Sequence, residues 1–211
     1  MKKFKSIVLC VLILAAAGCF SRSKPAYLIE QYTVDYPAPA ASGLSILDVP
    51  VKVERFSVSQ SFNSQAMVYR PQPFTLSTYN YSRWRVSPAD MVTDYLLRDL
   101  RSAAVFRAVY SYHDLEKGRF IIEGGVEEFL ESADKPGLST ILSVSVSLLD
   151  TKRKEIAERL LFQKNYRFQE PIGEHSPEEF AKGMSLNMSR FSERLTKDVY
   201  EAIAATIGKR E

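Results

Sequence analysis

The chain has 211 residues, 45% hydrophobic and 25% charged, a balance that excludes both a disordered tail and a polytopic membrane protein and makes one domain the default. Its formal charge of +3 belongs to the leader: Lys2, Lys3 and Lys5 are the only charges in the first eighteen residues, and the remainder carries 25 Lys+Arg against 25 Asp+Glu. A neutral body removes the electrostatic case for nucleic acid or an acidic membrane surface as a partner. The two cysteines, Cys10 and Cys19, both precede the body and exclude a disulfide framework or a Cys-rich metal site there.

The three lysines form a positive n-region, Ile7 to Ala17 is an eleven-residue apolar run, and Ala16, Ala17 and Gly18 are small residues directly before Cys19. This is the pattern of a secretory signal over residues 1–18. The run is well short of the roughly 20 apolar residues that span a hydrocarbon core. Ala16-Ala17-Gly18-Cys19 resembles the bacterial lipobox, with Ala16 where that pattern favours Leu. The resemblance implies cleavage before Cys19, a covalent lipid on its thiol, and export. Phe20 after the cysteine, in place of an Asp, implies forwarding to the outer membrane with the body facing the periplasm. Leu9 is too large to make Cys10 a competing cleavage point.

After a tether over residues 20–26, a single domain is expected over 27–211. Tyr27 to Val34 reads as a strand, Pro37 to Gly43 as a connector, and Leu44 to Phe56 as a strand in which Pro50 favours an edge or a bulge. Short strands follow at Ala66 to Arg70 and Thr75 to Tyr81. Ser87-Pro88-Ala89-Asp90 is a helix start, continued by Val92, Leu96, Leu100 and Ala103 at helical spacing. Ala104 to Ser111 and Arg119 to Leu130 read as strands. In the strand from Leu142 to Leu148, Leu142, Val144, Val146 and Leu148 alternate with three serines, predicting one core face and one polar or thinly covered face. Asp150 to Glu155 is a charged turn leading to a returning strand through Leu160, Phe162, Tyr166 and Phe168. Ser176-Pro177-Glu178-Glu179 opens a helix to Ile207, stopped by Gly208 and about 46 Å long at 1.5 Å per residue. The expected class is α+β: a mostly antiparallel or mixed sheet with two main helices packed on one face, the C-terminal one long.

A search for chemistry finds little. His113 and His175 are isolated and read as solvated loop histidines, and no metal site is expected. Neither a GxSxG elbow nor a GxxxxGK[ST] loop occurs, and Gly124-Gly125 inside a strand marks a bulge or close packing. Glu123 and Glu127 lie about 13 Å apart along one strand face at 3.3 Å per residue, too far for a paired-carboxylate site, and read as a solvated edge. Lys152-Arg153-Lys154 reads as a hairpin tip. On the long helix, Phe180, Met184, Met188 and Phe191 read as core rather than a lipid groove, while Lys182, Arg190, Glu193, Arg194, Lys197 and Glu201 mark the solvent side, with Glu193 and Lys197 in favourable order.

From Phe62 to Trp84 the chain is rich in aromatics and arginine, a composition enriched at protein interfaces. Composition alone favours the other reading, in which Tyr69, Tyr81 and Trp84 are half-buried strand residues flanking the first helix. Met67-Val68-Tyr69-Arg70, then Tyr79-Asn80-Tyr81-Ser82-Arg83-Trp84, then Pro88 opening a helix with Leu96 and Leu100, then Phe106 and Val109, resembles the ABC-type transport auxiliary lipoprotein family, the PqiC-like proteins. Tyr27-Leu28 after the lipobox, Leu148-Leu149-Asp150 at a strand end and the long final helix extend the resemblance over nearly the whole mature chain. Ser61 to Gln65 departs from the Leu-Asp-Arg-like stretch common there.

The resemblance implies a non-enzymatic auxiliary subunit of an MCE-type ABC system that moves phospholipids or other hydrophobic molecules between the envelope membranes. It would be anchored through lipid on Cys19, need no cofactor beyond that lipid, and dock an MCE-domain protein through Tyr69, Arg70, Tyr81, Arg83 and Trp84. A scaffold for an unrelated envelope complex is the alternative, and exposed aromatics also admit self-association.

Overall fold

The computed structural model describes residues 27–41, 43–133 and 137–208. The signal sequence, Cys19 and the tether to residue 26 lie outside them, as does Ser42 of the expected connector. Among the described residues the elements run β1 (Glu30–Tyr32), β2 (Leu47–Val53), β3 (Ser57–Val58), a 3-10 turn (Gln60–Phe62), β4 (Ala66–Gln72), β5 (Thr75–Trp84), α1 (Pro88–Ala103), β6 (Phe106–Ser111), β7 (Phe120–Ser132), β8 (Ser139–Asp150), α2 (Ile156–Arg159), β9 (Leu160–Pro171) and α3 (Pro177–Gly208).

All the strands belong to one mixed sheet whose spine is β7. One edge of β7 pairs antiparallel with β8 from Phe120 opposite Asp150 to Ser132 opposite Ser139, and β8 pairs antiparallel with β9. The other edge is shared in succession by three parallel partners: β2 against Phe120–Ile122, β3 against Gly125–Val126, and β4 against Glu131–Ser132. The sheet therefore divides into two wings beyond β7, one ending in β6 beside β2 and the other running β4, β5, β1. Phe56 packs its ring over Gly124, where an added Cβ would fall on that ring and on the Ser145 carbonyl. Close packing is thus the reason for the glycine pair, and the adjacent bulge lies at Val126–Glu128.

Both long helices cover one face, as the α+β reading expects. Ser87 caps α1 by accepting from the Asp90 amide at 3.3 Å. In α3, Phe180, Met184, Met188, Phe191, Leu195, Val199 and Ile203 are wholly buried, while the charged side chains expected on the opposite side face solvent. Lys197 approaches Glu201 at 4.0 Å rather than Glu193. Gly183 brings α3 close to the sheet, since a Cβ there would meet Thr140 and Ile172 at 2.8 Å. Asn187 Nδ2 then donates to the Thr140 carbonyl at 3.1 Å and to its Oγ1 at 2.9 Å.

Several boundaries differ from the sequence reading. The first strand is only Glu30–Tyr32, because beyond Tyr32 the chain leaves the sheet to lie between the helices. There Tyr36 donates to buried Asp99 at 2.8 Å, Tyr95 donates to the Val34 carbonyl, Ser185 Oγ accepts from the Asp35 amide at 2.9 Å, and the Arg98 guanidinium lies 4.5 Å from both the Tyr36 and Tyr95 rings. Pro50 sits at a register shift between β2 and β6, the bulge its sequence favours. The β8–β9 connection carries the short helix α2 in addition to the charged turn. Arg119 grips Asp150, which is fully buried, through two bonds of 3.1 Å, fixing the end of the β7–β8 ladder.

Candidate partner interface

The Val-Tyr-Arg element lies on β4 where that strand is flanked by β5 and by the end of β7: Tyr69 stands opposite Ser77 on one side and Glu131 on the other. Arg70 Nη2 contacts Glu128 Oε1 at 3.0 Å, and the second oxygen of Glu128 accepts from Arg167 Nε at 3.3 Å. Ser143, which β8 places between Glu128 and Arg167, is small enough for the two longer side chains to meet above it. An Arg–Glu–Arg bridge thus crosses the sheet, its arginines partly exposed.

On the other side of the sheet, the side covered by α3, lies a cluster built from three strands and the loop before α3. Glu131 is only 1% exposed and accepts from Tyr79 Oη at 2.6 Å, and its other oxygen lies 2.5 Å from His175 Nδ1. Tyr79 Oη is also 2.9 Å from that ring nitrogen. The Tyr79 ring stacks on His175 at 4.8 Å, and Tyr69 meets the same imidazole edge-on at 4.6 Å. Burial, then the bond to Glu131, pushes the Tyr79 phenol well above its ordinary range, so it stays a proton donor to the carboxylate. With both Glu131 oxygens engaged and the imidazole packed between two tyrosines, the arrangement fastens the loop before α3 onto β5 and leaves Tyr69 and the outer edge of His175 at the surface.

Neither Glu131 nor His175 was expected here. His175 keeps 45% of its side chain exposed, which agrees with a loop histidine, but its Nδ1 is committed to Glu131. The available signal was an acid set among Phe129, Leu130 and Ser132 near the end of a predicted strand, where burial demands a partner. His113 is an exposed loop residue, and Glu123 and Glu127 are both exposed, Glu127 accepting from Ser143 Oγ and Asn165 Nδ2.

The Arg-Trp element separates. Tyr81 is 49% exposed and stacks on Tyr27 at 4.5 Å, and Arg83 is partly exposed opposite Gln31 of β1. Trp84 is 0% exposed and lies edge-to-face against Phe129 at 5.4 Å and Phe180 at 5.0 Å. It cannot touch a partner. As the last residue of β5 it turns under α3 and joins the core, which corrects its assignment to the interface.

Among the described residues no three His, Cys, Asp or Glu side chains converge as metal ligands would, and no helix is long and apolar enough to cross a membrane. A cleft of about 270 Å³ lined by Pro39, Ala40, Ala41 and Leu44 on one side and by Glu193, Thr196, Lys197 and Glu201 of α3 on the other lies apart from the Tyr69 cluster.

Comparison with known proteins agrees with the fold. The chain is similar in structure to protein XCC0632 from Xanthomonas campestris, with 14% identity, a TM-score of 0.74 and coverage of 86% of this chain and 99% of that one. The hypothetical protein CT253 from Chlamydia trachomatis is similar at 11% identity and a TM-score of 0.57, covering 75% of this chain and 99% of its own. No curated protein matches the sequence. The family of ABC-type transport auxiliary lipoprotein components matches residues 32–204, from the last residue of β1 through most of α3. The chain belongs to the ABC-type transport auxiliary lipoprotein family.

Proposed function

We propose that the protein is a lipid-anchored adaptor of an MCE-type ABC system, held by acyl chains on Cys19 at the periplasmic face of the outer membrane, and that it performs no catalytic step of its own. The observation that carries this reading is the family match over residues 32–204, nearly the whole folded domain, read together with the lipobox-like Ala16-Ala17-Gly18-Cys19. Two or more buried chains give stable anchoring without a basic patch, which suits a body of balanced charge. The docking surface for the MCE-domain protein is the β4–β5 hairpin, which carries Tyr69 on one side of the sheet and Arg70 on the other, with Tyr81 and Arg83 along β5. Tyrosine and arginine supply binding energy most effectively where, as here, neighbours already hold them in place. Substrate movement is powered by the transporter's ATPase.

The test is to extract tagged full-length protein in mild detergent and identify its N-terminal modification and companions by mass spectrometry. Acylated Cys19 with an MCE-domain protein attached is expected. An acylated protein with unrelated companions retains the anchor and removes the transport role. Arg83→Ala combined with Tyr81→Ala is expected to release the partner with an unchanged melting temperature.

A further inference from the structure

The β4–β5 hairpin runs beyond the end of β7. Its turn, closed by Gln72 opposite Thr75, has Pro73 and Phe74 at the centre. Phe74 is fully solvent-exposed at 107% and has φ +69°, a left-handed conformation that turns usually give to glycine or asparagine. Packing within the domain does not hold it there. Leu76, two residues on, is also 46% exposed. Between Arg70 and Arg83 twelve consecutive residues carry no charge, so the hairpin can leave water without desolvating an ion.

The position of the N-terminal segment says what this tip meets. β1 is parallel to β5, with Glu30 opposite Ser82 and Tyr32 opposite Trp84. Following the chain backwards from β1 therefore leads along β5 towards the Phe74 turn, and the Tyr27–Tyr81 stack holds that course to the first described residue. From Tyr81 back to Phe74 is seven residues of strand, about 23 Å. Cys19 is eight residues before Tyr27, a reach of at most about 29 Å. The reach exceeds the distance to the turn, so a leaflet holding lipid on Cys19 can be touched by the hairpin tip.

We infer that the Pro73–Phe74 turn is a membrane-contacting tip, with Phe74 entering the phospholipid leaflet that holds the anchor. This rests on the reading of Cys19 as lipidated. An exposed aromatic flanked by Leu76 and neutral polar residues suits the headgroup boundary, and a second contact away from the anchor would fix the domain's tilt, presenting the β4–β5 hairpin at a constant height to its partner.

The test places an indole at the tip. F74W in the full-length chain, purified from membranes and checked by mass spectrometry for acylation, is reconstituted into phosphatidylethanolamine–phosphatidylglycerol vesicles with and without bromine-labelled lipid. The unsubstituted protein is the blank, because its one tryptophan, Trp84, is buried ten residues along β5 from the tip, about 33 Å away. The expected result is emission from the introduced indole shifted to shorter wavelength and quenched by lipid brominated near the headgroup. Acylated F74W protein that keeps a water-exposed, unquenched indole overturns the inference and leaves the anchor intact. The same holds if that indole becomes shielded only on adding the MCE-domain protein, which assigns the tip to the partner. Absence of acylation overturns the anchor reading and this inference together.

Discussion

Trp84→Ala separates the two meanings of the Arg-Trp element. The indole is wholly buried and edge-to-face with Phe129 and Phe180, so truncation removes two aromatic contacts and opens a cavity between β5, β7 and α3. Large aromatic-to-alanine changes in such sites cost about 3–5 kcal/mol, of which the two ring contacts account for roughly 1–3 kcal/mol. A loss of about 4 kcal/mol is a large part of the ~5–15 kcal/mol that typically holds a domain together. With a urea dependence near 2 kcal/mol per molar, the unfolding midpoint followed by circular dichroism should fall by roughly 2 M. Trp84→Phe, which keeps an aromatic ring in the site, should recover about half of that loss. A W84A protein with an unchanged urea midpoint that fails to bind its partner would refute the core assignment and restore Trp84 to the interface.

Asp150→Ala strands Arg119 in a largely buried site and is expected to destabilise by about 3–5 kcal/mol, read from the same urea titration. Gly183→Ala forces a Cβ against Thr140 and Ile172 and should cost about 1–3 kcal/mol; thermal melts of the purified variant check it. Phe74→Gly releases the left-handed strain and should raise stability by up to about 1 kcal/mol while weakening vesicle contact, a stability gain at functional cost. Burial raises the Asp198 carboxyl, but hydrogen bonds from Tyr166 and Lys164, with Arg194 nearby, more than offset it and hold the group below the usual carboxylate range. A lowered folded-state pKa contributes stability that is fully present above the unfolded value of about 4 and is lost as pH falls through the folded one. Asp198→Asn should therefore be less stable at pH 7, with the gap to wild type closing as pH falls below about 4, measured as urea midpoints across that range.

The helices and the β8–β9 ladder were legible because their signals are local and redundant. The Ser87 and Ser176 starts, the seven fully buried positions of α3, and the serine alternation of β8 each repeat one period over several turns or residues. What escaped was set by contacts distant in sequence. The short parallel pairings of β3 and β4 have no sequence period of their own, and they exist because β7 is long enough to receive them in turn after β2. Tyr69 and Arg70 were singled out from order and composition, but their surroundings depend on Glu131, Glu128 and His175, separated from them by 58 to 106 residues. Trp84 shows the limit of composition most clearly: an interface and a core both select a large amphipathic ring, and only the register of β5 under α3 decides between them.

The division of the sheet beyond β7 bears on how an anchored domain could hold a fixed posture. β1 is a three-residue edge strand, too short to resist a pull from the membrane by its own hydrogen bonds. The segment after it supplies the resistance: Tyr36 on Asp99, the Tyr95 hydroxyl on the Val34 carbonyl, Arg98 across both rings, and Ser185 on the Asp35 amide fasten it to α1 and α3 together. Tension arriving through the chain therefore meets the Tyr27–Tyr81 stack and the β1–β5 pairing first, and the two helices and the core behind them. This order also gives a role to the buried Tyr36–Asp99 pair, which lies where two helices and the incoming chain converge.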